Sequence, residues 1–369
     1  MAARTLRDVH RRRLAAQRVT GPALRCGAHA VRLLGCVQAQ DAPLAAWSLA
    51  MRLRPGTTYA GVLAEQAAGG WVRTHVLRPT WHLIAPEDLR WVQRATAARV
   101  ESSLGGRHRG LGLDDTTTVQ ALAVLESVLA GPTPLVRREV AAAFGAAGLP
   151  TSGEQVGHLL LTAELRAVIC SGPSRGAEHT YVLVDEVIPS GPPDSLEGAD
   201  ARRELARRFV AGHGPASERD LGRWSTLTLG QARTALAELS GELERVVVDG
   251  QVLWVDPRVP ARTTRAHAAH LLPTFDEVCL TYASTGFPRR DPAVARSRLL
   301  SEAGGGIVVV GGDDVGTWKR VVSPGGVRVS VSSDVPLGVD ERDAVGAAAE
   351  RLAAFLERPL DLVVETPSG

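Results

Sequence analysis

Stretches in which apolar residues recur every three or four positions alternate along this chain with short runs in which they alternate or cluster, the two periods that separate helix from strand. Residues 4–35 read as helices. Thr5-Leu-Arg-Asp8 supplies a start, and Gly21-Pro22 breaks the first helix from the second. Ala45–Arg52 and Tyr59–Ala68 follow as short helices around Pro55-Gly56. Val72–Leu83 turns strand-like, and Pro86-Glu-Asp-Leu-Arg-Trp91 opens another helix with acids in its first turn. Residues 105–115, rich in glycine and arginine, read as a flexible basic loop.

Next comes an order that repeats. Thr116–Leu129 is an amphipathic helix, Leu135–Phe144 and Gly153–Ala163 are two more, and Val168-Ile-Cys170 and Tyr181-Val-Leu-Val184 are strands joined by the polar loop Ser171–His179. Three helices and a two-stranded wing form the winged-helix order. Residues 189–199 have linker composition. Beyond them Asp200–Gly212, a segment opening at Ser217, and Thr226–Ser240 read as helices, the last with Leu229, Ala232, Leu236 and Leu239 on one face. Arg245–Val255 is a hairpin turning at Asp249-Gly250.

The C-terminal part is mixed. Ile307–Val310, Thr317–Val322 and Val327–Val331 read as antiparallel strands with a tight turn at Ser323-Pro-Gly-Gly326. Arg342–Glu357 is a helix packed through Val345, Ala349, Leu352 and Leu356, and Leu360–Val364 closes as a strand. The expected fold class is α+β: tandem winged helix-turn-helix units over 1–115, 116–190 and 198–258, then an antiparallel β/α portion over 262–369.

Composition narrows the chemistry. The 369 residues are 44% hydrophobic but only 4% aromatic, so the cores must be built from Ala, Val and Leu. Net charge is +2, yet residues 1–40 hold eight arginines against the single acid Asp8. That local excess suits a polyanion. Lys319 is the one lysine, so there is little side-chain amine for Schiff-base chemistry. Cys26, Cys36, Cys170 and Cys279 lack C-x-x-C spacing and read as reduced thiols of a cytoplasmic protein. His267 and His270 lack companion ligands and read as structural; no metal or cofactor is expected. No apolar run is long enough to span a bilayer. The glycines at 304–306 and 311–312 lead into strand-like sequence and read as turns, not phosphate cradles.

One short segment carries candidate catalysis: Leu34-Gly-Cys-Val-Gln38-Ala-Gln40-Asp41-Ala-Pro43. In extended backbone, residues i and i+2 point the same way, so Gln38 and Gln40 present two amides to one point without belonging to the core. Such a pair can hold a water against an electron-poor centre whose leaving group is already activated.

With four further blocks this segment resembles the winged-helix DNA glycosylases of the AlkZ/YcaQ type. The blocks are Arg73-Thr-His-Val-Leu-Arg78-Pro-Thr-Trp-His82-Leu with Pro86-Glu-Asp-Leu, then His213-Gly-Pro-Ala-Ser-Glu-Arg-Asp-Leu-Gly-Arg-Trp224, Leu272-Pro-Thr-Phe-Asp-Glu277 and Val315-Gly-Thr-Trp-Lys319-Arg320. The resemblance implies a concave, basic, DNA-sized surface. It implies a metal-free, monofunctional, monomeric enzyme that excises bulky cationic N7-alkylpurines from double-stranded DNA and unhooks interstrand crosslinks. Glutamine at the second motif position resembles the AlkZ branch, associated with producers of DNA-crosslinking natural products such as azinomycins, and hence with self-resistance. Gln38 and Gln40 would be catalytic. Arg11, Arg12, Arg13, Arg73, Arg78, Arg107 and Arg109 would meet DNA, and Asp41 and His82 would support. Two departures stand out: Arg78-Pro79, where glycine is usual, and Leu280-Thr-Tyr282, where Leu-Gly-Tyr is usual.

The chemistry suits neutral amides. A purine alkylated at N7 is cationic and leaves as a neutral base, so what remains is to orient water and tolerate an oxocarbenium-like sugar. A base tethered to the opposite strand cannot be flipped into a deep pocket, which favours an open surface probed by a loop. Gly105–Gly112 and the hairpin at Ser323–Gly326 are the candidate probes. The alternative is a non-enzymatic winged-helix DNA-binding regulator. That reading needs a base-reading helix, and Thr226–Ser240 carries only Arg233 as a basic residue.

Overall fold

A computed structural model describes residues 5–176, 178–188, 191, 195–259, 268–283, 288–291 and 304–367. The protein is a mixed α/β structure. Thr5 caps α1 (Leu6–Ala16) with reciprocal bonds to Asp8. Then come α2 (Gly27–Leu34), β1 (Cys36–Gln38), α3 (Ala42–Ala50), α4 (Tyr59–Ala67), β2 (Val72–His75) and β3 (Trp81–Ile84), with the strands in the order β1-β3-β2.

After α5 (Leu89–Gly110) the same succession returns. It comprises α6 (Asp115–Leu129), β4 (Leu135–Val136), α7 (Arg137–Ala146), α8 (Gly153–Leu165), β5 (Ile169–Ser171) and β6 (Thr180–Leu183), ordered β4-β6-β5. It returns again after the short α9 (Val184–Val187). Here α10 (Gly198–His213), α11 (Glu218–Ser225) and α12 (Leu229–Ala237) precede β7 (Glu244–Val248) and β8 (Gln251–Val255), and Ala216 bridges to Trp254 where a first strand would lie. Of the linker read over 189–199, residues 189, 190 and 192–194 lie outside the described residues, and α10 already begins at Gly198.

The last portion is a five-stranded sheet with the order β13-β12-β11-β10-β9. Its strands are β9 (Ala269–Pro273), β10 (Gly305–Val310), β11 (Asp313–Ser323), β12 (Gly326–Ser333) and β13 (Leu360–Glu365). The one-turn α13 (Glu277–Leu280) follows β9, and α14 (Val339–Leu356) covers one face. Two expectations are corrected here. The sheet is not wholly antiparallel, because β13 pairs parallel to β12. The chain returns through α14, and a helical crossover brings a strand back in the same direction. The glycine- and arginine-rich stretch 105–112 is not a loop, because its first six residues form the last turns of the 22-residue α5. None of its helical glycines is buried, and helix propagation from the buried Trp91, Val92 and Val100 outweighs their cost of about 1 kcal/mol each. Gly105–Gly112 is therefore no probing loop.

Packing across repeats fixes the site. The first repeat shares one core with the five-stranded sheet, in which Trp47 and Trp318 are buried. α1 bridges two repeats, with Leu14 in the core of the first and Val9 against Val248 and Leu253 of the third. α2 and α10 meet where a side-chain carbon on Gly212 would come within 2.3 Å of the Leu33 carbonyl oxygen, so only glycine permits the contact.

Candidate active site

β1 ends at Gln38, which pairs with His82 across the sheet and is 7% exposed. The Gln38 side chain is thus buried, contrary to the expectation that both amides lie outside the core. Arg78 Nη2 donates to Gln38 Oε1 at 2.8 Å and lies 3.1 Å from His82 Nε2. A guanidinium has no lone pair, so the Gln38 atom facing it is the carbonyl oxygen and the amide NH₂ is turned away. His82 Nδ1 sits 2.8 Å from the Thr80 carbonyl, which only accepts, so Nδ1 carries the proton and Nε2 receives the Arg78 bond. Burial first, and Arg78 second, hold the His82 pKa well below the usual histidine range, so the ring is neutral. Arg78 is aimed inward by the turn before it, where Leu77 adopts φ 64°, a strained value for a leucine. The guanidinium expected at phosphate is committed to Gln38 and His82.

Behind β1 lies a buried acid, Glu277, the last residue of the Leu272–Glu277 block, to which the sequence alone assigns no role. Glu277 Oε1 accepts the Gln38 backbone N–H at 2.8 Å, and Oε2 accepts from Trp224 Nε1 at 3.1 Å and Thr281 Oγ1 at 3.2 Å. Burial pushes its pKa up, opposed chiefly by Arg78. Its neighbour Asp276 holds Arg52 through bonds of 2.8 and 3.0 Å and accepts Ser48 Oγ at 2.6 Å. Both side chains of the Arg52–Asp276 pair are 0% exposed. These contacts tie the loop after β9 to α3 and β1 and fix the strand that carries Gln38. Two adjacent acids following an apolar run, at Leu271-Leu272, were the available signal.

Gln40 stands in a different setting. It is exposed and lies two residues past the end of β1, so strand alternation does not govern it. Its Oε1 accepts the Trp81 backbone N–H at 3.3 Å. It lines a cavity of about 280 Å³ with His75, Trp81, Glu164 and Tyr181. Arg73 spans the motif: Nε donates to the Ala39 carbonyl at 3.0 Å, and the guanidinium lies 4.0 Å over the Trp81 ring. Asp41 accepts the Leu44 N–H at 2.9 Å as the N-cap of α3, a structural duty.

The remaining arginines divide. Arg13 is 1% exposed, donates to the Pro215 carbonyl at 2.9 Å, pairs with Asp220 at 3.5 Å and stacks 3.7 Å over Tyr282. It is a core arginine, which corrects its reading as a DNA contact. α1 turns one face onto the third repeat, and Arg13 lies on that face. Arg11 and Arg12 are half-buried, Arg107 is exposed but paired with Glu154, and Arg109 is exposed. The N-terminal arginine excess therefore overstates the free positive charge. Titration with duplex DNA is expected to give a log K against log salt slope that Arg13→Gln leaves unchanged. Arg109→Gln should make it shallower by about 0.9 per lost phosphate contact. Equal slopes for wild type and Arg109→Gln would remove that residue from the interface.

Among the described residues no group of three or more His, Cys, Asp or Glu is arranged to hold a metal, and no helix is long and apolar enough to cross a membrane. His267 lies outside the described residues. His270 has its pKa lowered to about 4, first by burial and then by Arg351.

A family model described as DNA glycosylase AlkZ-like matches residues 31–355. A relative from Streptomyces sahachiroi, an interstrand DNA cross-link repair glycosylase, is 26% identical over 306 residues, covering 79% of this chain and 81% of that protein. The solved structure of Streptomyces sahachiroi DNA glycosylase AlkZ matches with a TM-score of 0.79 at 22% identity, covering 98% of this chain and 100% of that one. At that identity the structural match speaks for the fold.

Proposed function

The chain belongs to the AlkZ-like family of DNA glycosylases, and from that premise we propose that it is a monofunctional, monomeric enzyme excising bulky cationic N7-alkylpurines, interstrand crosslinks included, with self-resistance to a DNA-alkylating natural product as its role. The name of the Streptomyces relative supports the crosslink substrate. The helix–strand–helix–helix–strand–strand order occurs twice with the first strand joining the third, and a third time with the Ala216–Trp254 bridge in place of the first strand, which supports reading the units as tandem winged helices.

One observation carries the mechanism: the Gln38 amide is preset. Arg78 fixes its oxygen at 2.8 Å, a neutral His82 stands behind Arg78, and Glu277 fixes the backbone. A dipole already oriented needs no reorganisation as the sugar becomes oxocarbenium-like. Arg78 also polarises that carbonyl, whose second lone pair can accept from a water. In this reading Gln40, exposed at the cavity, holds the same water. The leaving purine takes the glycosidic electron pair and becomes neutral, so the base itself needs no acid.

The test is a duplex with one N7-methylguanine, incubated with the protein and then treated with alkali. Cleavage at that site is expected, and an uncleaved strand would overturn the reading. The regulator alternative gains no support from Arg233, whose guanidinium is paired with Glu218 at 2.8 Å.

The product should be an intact abasic site. Lys319 is exposed on β11 and alternates with the buried Trp318, so it lies on the sheet face away from the core. Borohydride is expected to trap no protein–DNA adduct. An adduct that vanishes in Lys319→Met would bring an amine into the site and end the water-only mechanism.

A further inference from the structure

A histidine–carboxylate couple stands beside Gln40, and amide catalysis does not use it. Glu164, on α8, has a fully buried side chain that accepts Trp81 Nε1 at 3.3 Å and meets His75 Nδ1 in a hydrogen bond. Gln93, on α5, clamps the two residues together. Its Nε2 donates to the His75 carbonyl at 2.6 Å and to the Glu164 carbonyl at 2.8 Å. A strand and two helices thus hold one imidazole in one orientation. A carboxylate accepts, so Nδ1 carries the proton and Nε2 keeps its lone pair. Among the described residues Nε2 has no hydrogen-bond partner, and the side chain is 12% exposed. Its opening is the cavity that Gln40 also lines. His75 is the strand partner of Trp81, whose backbone N–H holds Gln40 Oε1 at 3.3 Å.

We propose that His75, oriented by Glu164, is the base that takes the proton of the attacking water, with Gln40 holding that water. This rests on the reading of Gln40 as a water-positioning residue. The water oxygen bonds to C1′ as the C1′–N9 bond breaks. That electron pair goes to N9 and cancels the positive charge of the alkylated purine. The water proton moves to His75 Nε2, the Glu164 carboxylate balances the imidazolium, and the proton then passes to solvent. An imidazole held from behind by a buried carboxylate is a recurrent base, and base catalysis contributes typically 10²–10⁴-fold.

Charged groups face the ring from several elements: Glu164 and Glu154 of α8, Arg73 on the same strand and Arg137 of α7. His158 also lines the cavity, and His82 and His179 are near neighbours of the ring. Burial first, then Arg73, lowers the His179 pKa to about 4, so it stays neutral through the range in which an ordinary histidine titrates.

Single-turnover excision of N7-methylguanine from a duplex, followed from about pH 5 to about pH 8, tests the proposal. Wild-type rates should fall about tenfold per pH unit below the imidazole pKa, because protonation removes the base. His75→Gln should lower the plateau by about 10²-fold and abolish that limb. Glu164→Gln should lower the plateau too, because the imidazolium formed in the step loses the carboxylate that balances it. A wild-type rate flat over this range overturns the proposal without any variant, and so does a limb that persists in His75→Gln. Either result leaves the amide reading intact, whereas an active Gln40→Ala would sink both.

Discussion

Gln40→Ala is expected to fold as the wild type does and to lose about 10²-fold or more in single-turnover excision of N7-methylguanine, the usual scale for removing one preorganised polar contact. The side chain is exposed, and its contact with the Trp81 N–H is at 3.3 Å, so truncation strands no buried group of the core. Gln38→Ala is expected to match that loss and to add a second effect. Gln38 is 7% exposed, and its oxygen is the acceptor for Arg78 Nη2 at 2.8 Å. Removing it leaves a part-buried cationic donor unsatisfied, at a cost of about 1–3 kcal/mol in stability. The pair separates chemistry from folding. Excision assays with a duplex carrying one N7-methylguanine read the first effect, and urea denaturation reads the second. Wild-type turnover by either variant would remove the amide from the mechanism. A Gln38→Ala protein as stable as wild type would show that Arg78 finds another acceptor.

Arg52→Ala is expected to produce a large loss of stability, about 3–5 kcal/mol, because it abandons Asp276 as an uncompensated charge in a site that is 0% exposed. Arg52 also donates to the Gln17 carbonyl at 2.9 Å and to the Ser48 carbonyl at 2.7 Å, so three segments loosen together. Replacing both partners with apolar residues, as in Arg52→Met with Asp276→Leu, should recover much of that loss, since no charge is then buried. The pair also gives a pH dependence of defined sign. Burial raises the Asp276 pKa, but Arg52 and its hydrogen bonds bring it below the usual carboxylate value. A group with a depressed folded pKa contributes stability above its unfolded value of about 3.9, and that contribution disappears as the pH falls through the folded value. Denaturation midpoints that are equal in wild type and Arg52→Ala would contradict this account. So would a wild-type midpoint that does not fall at acid pH while that of the double variant stays flat.

Most elements are legible in the residues themselves. The Asp249-Gly250 turn marks its hairpin, Ser217 and Asp220 mark the start of α11, and the spacing of Val345, Ala349 and Leu352 marks α14. Local chemistry writes these elements: a turn residue, a cap and a buried stripe each act within a few positions. The failures have a common cause in distant partners. Residues 105–110 look like a loop by composition, yet they continue a helix already nucleated on buried Trp91 and Val92. Arg13 looks like surface charge, yet Pro215, Asp220 and Tyr282, some 200 residues or more away, enclose it.

The sequence by itself determined the motif, the family blocks and most of the succession of helices and strands, because periodicity, capping and turn chemistry are short-range. It also placed Gln38 and Gln40 two residues apart. Tertiary structure alone decided what each amide became. Burial against Arg78, His82 and Glu277 orients Gln38, while the end of β1 releases Gln40 into a cavity built by α8 and β6. It also decided that His75 meets Glu164, 89 positions away, with Gln93 clamping both. Desolvation sets a histidine's charge, a guanidinium's partner and an amide's orientation, and desolvation depends on which distant segments close over a side chain.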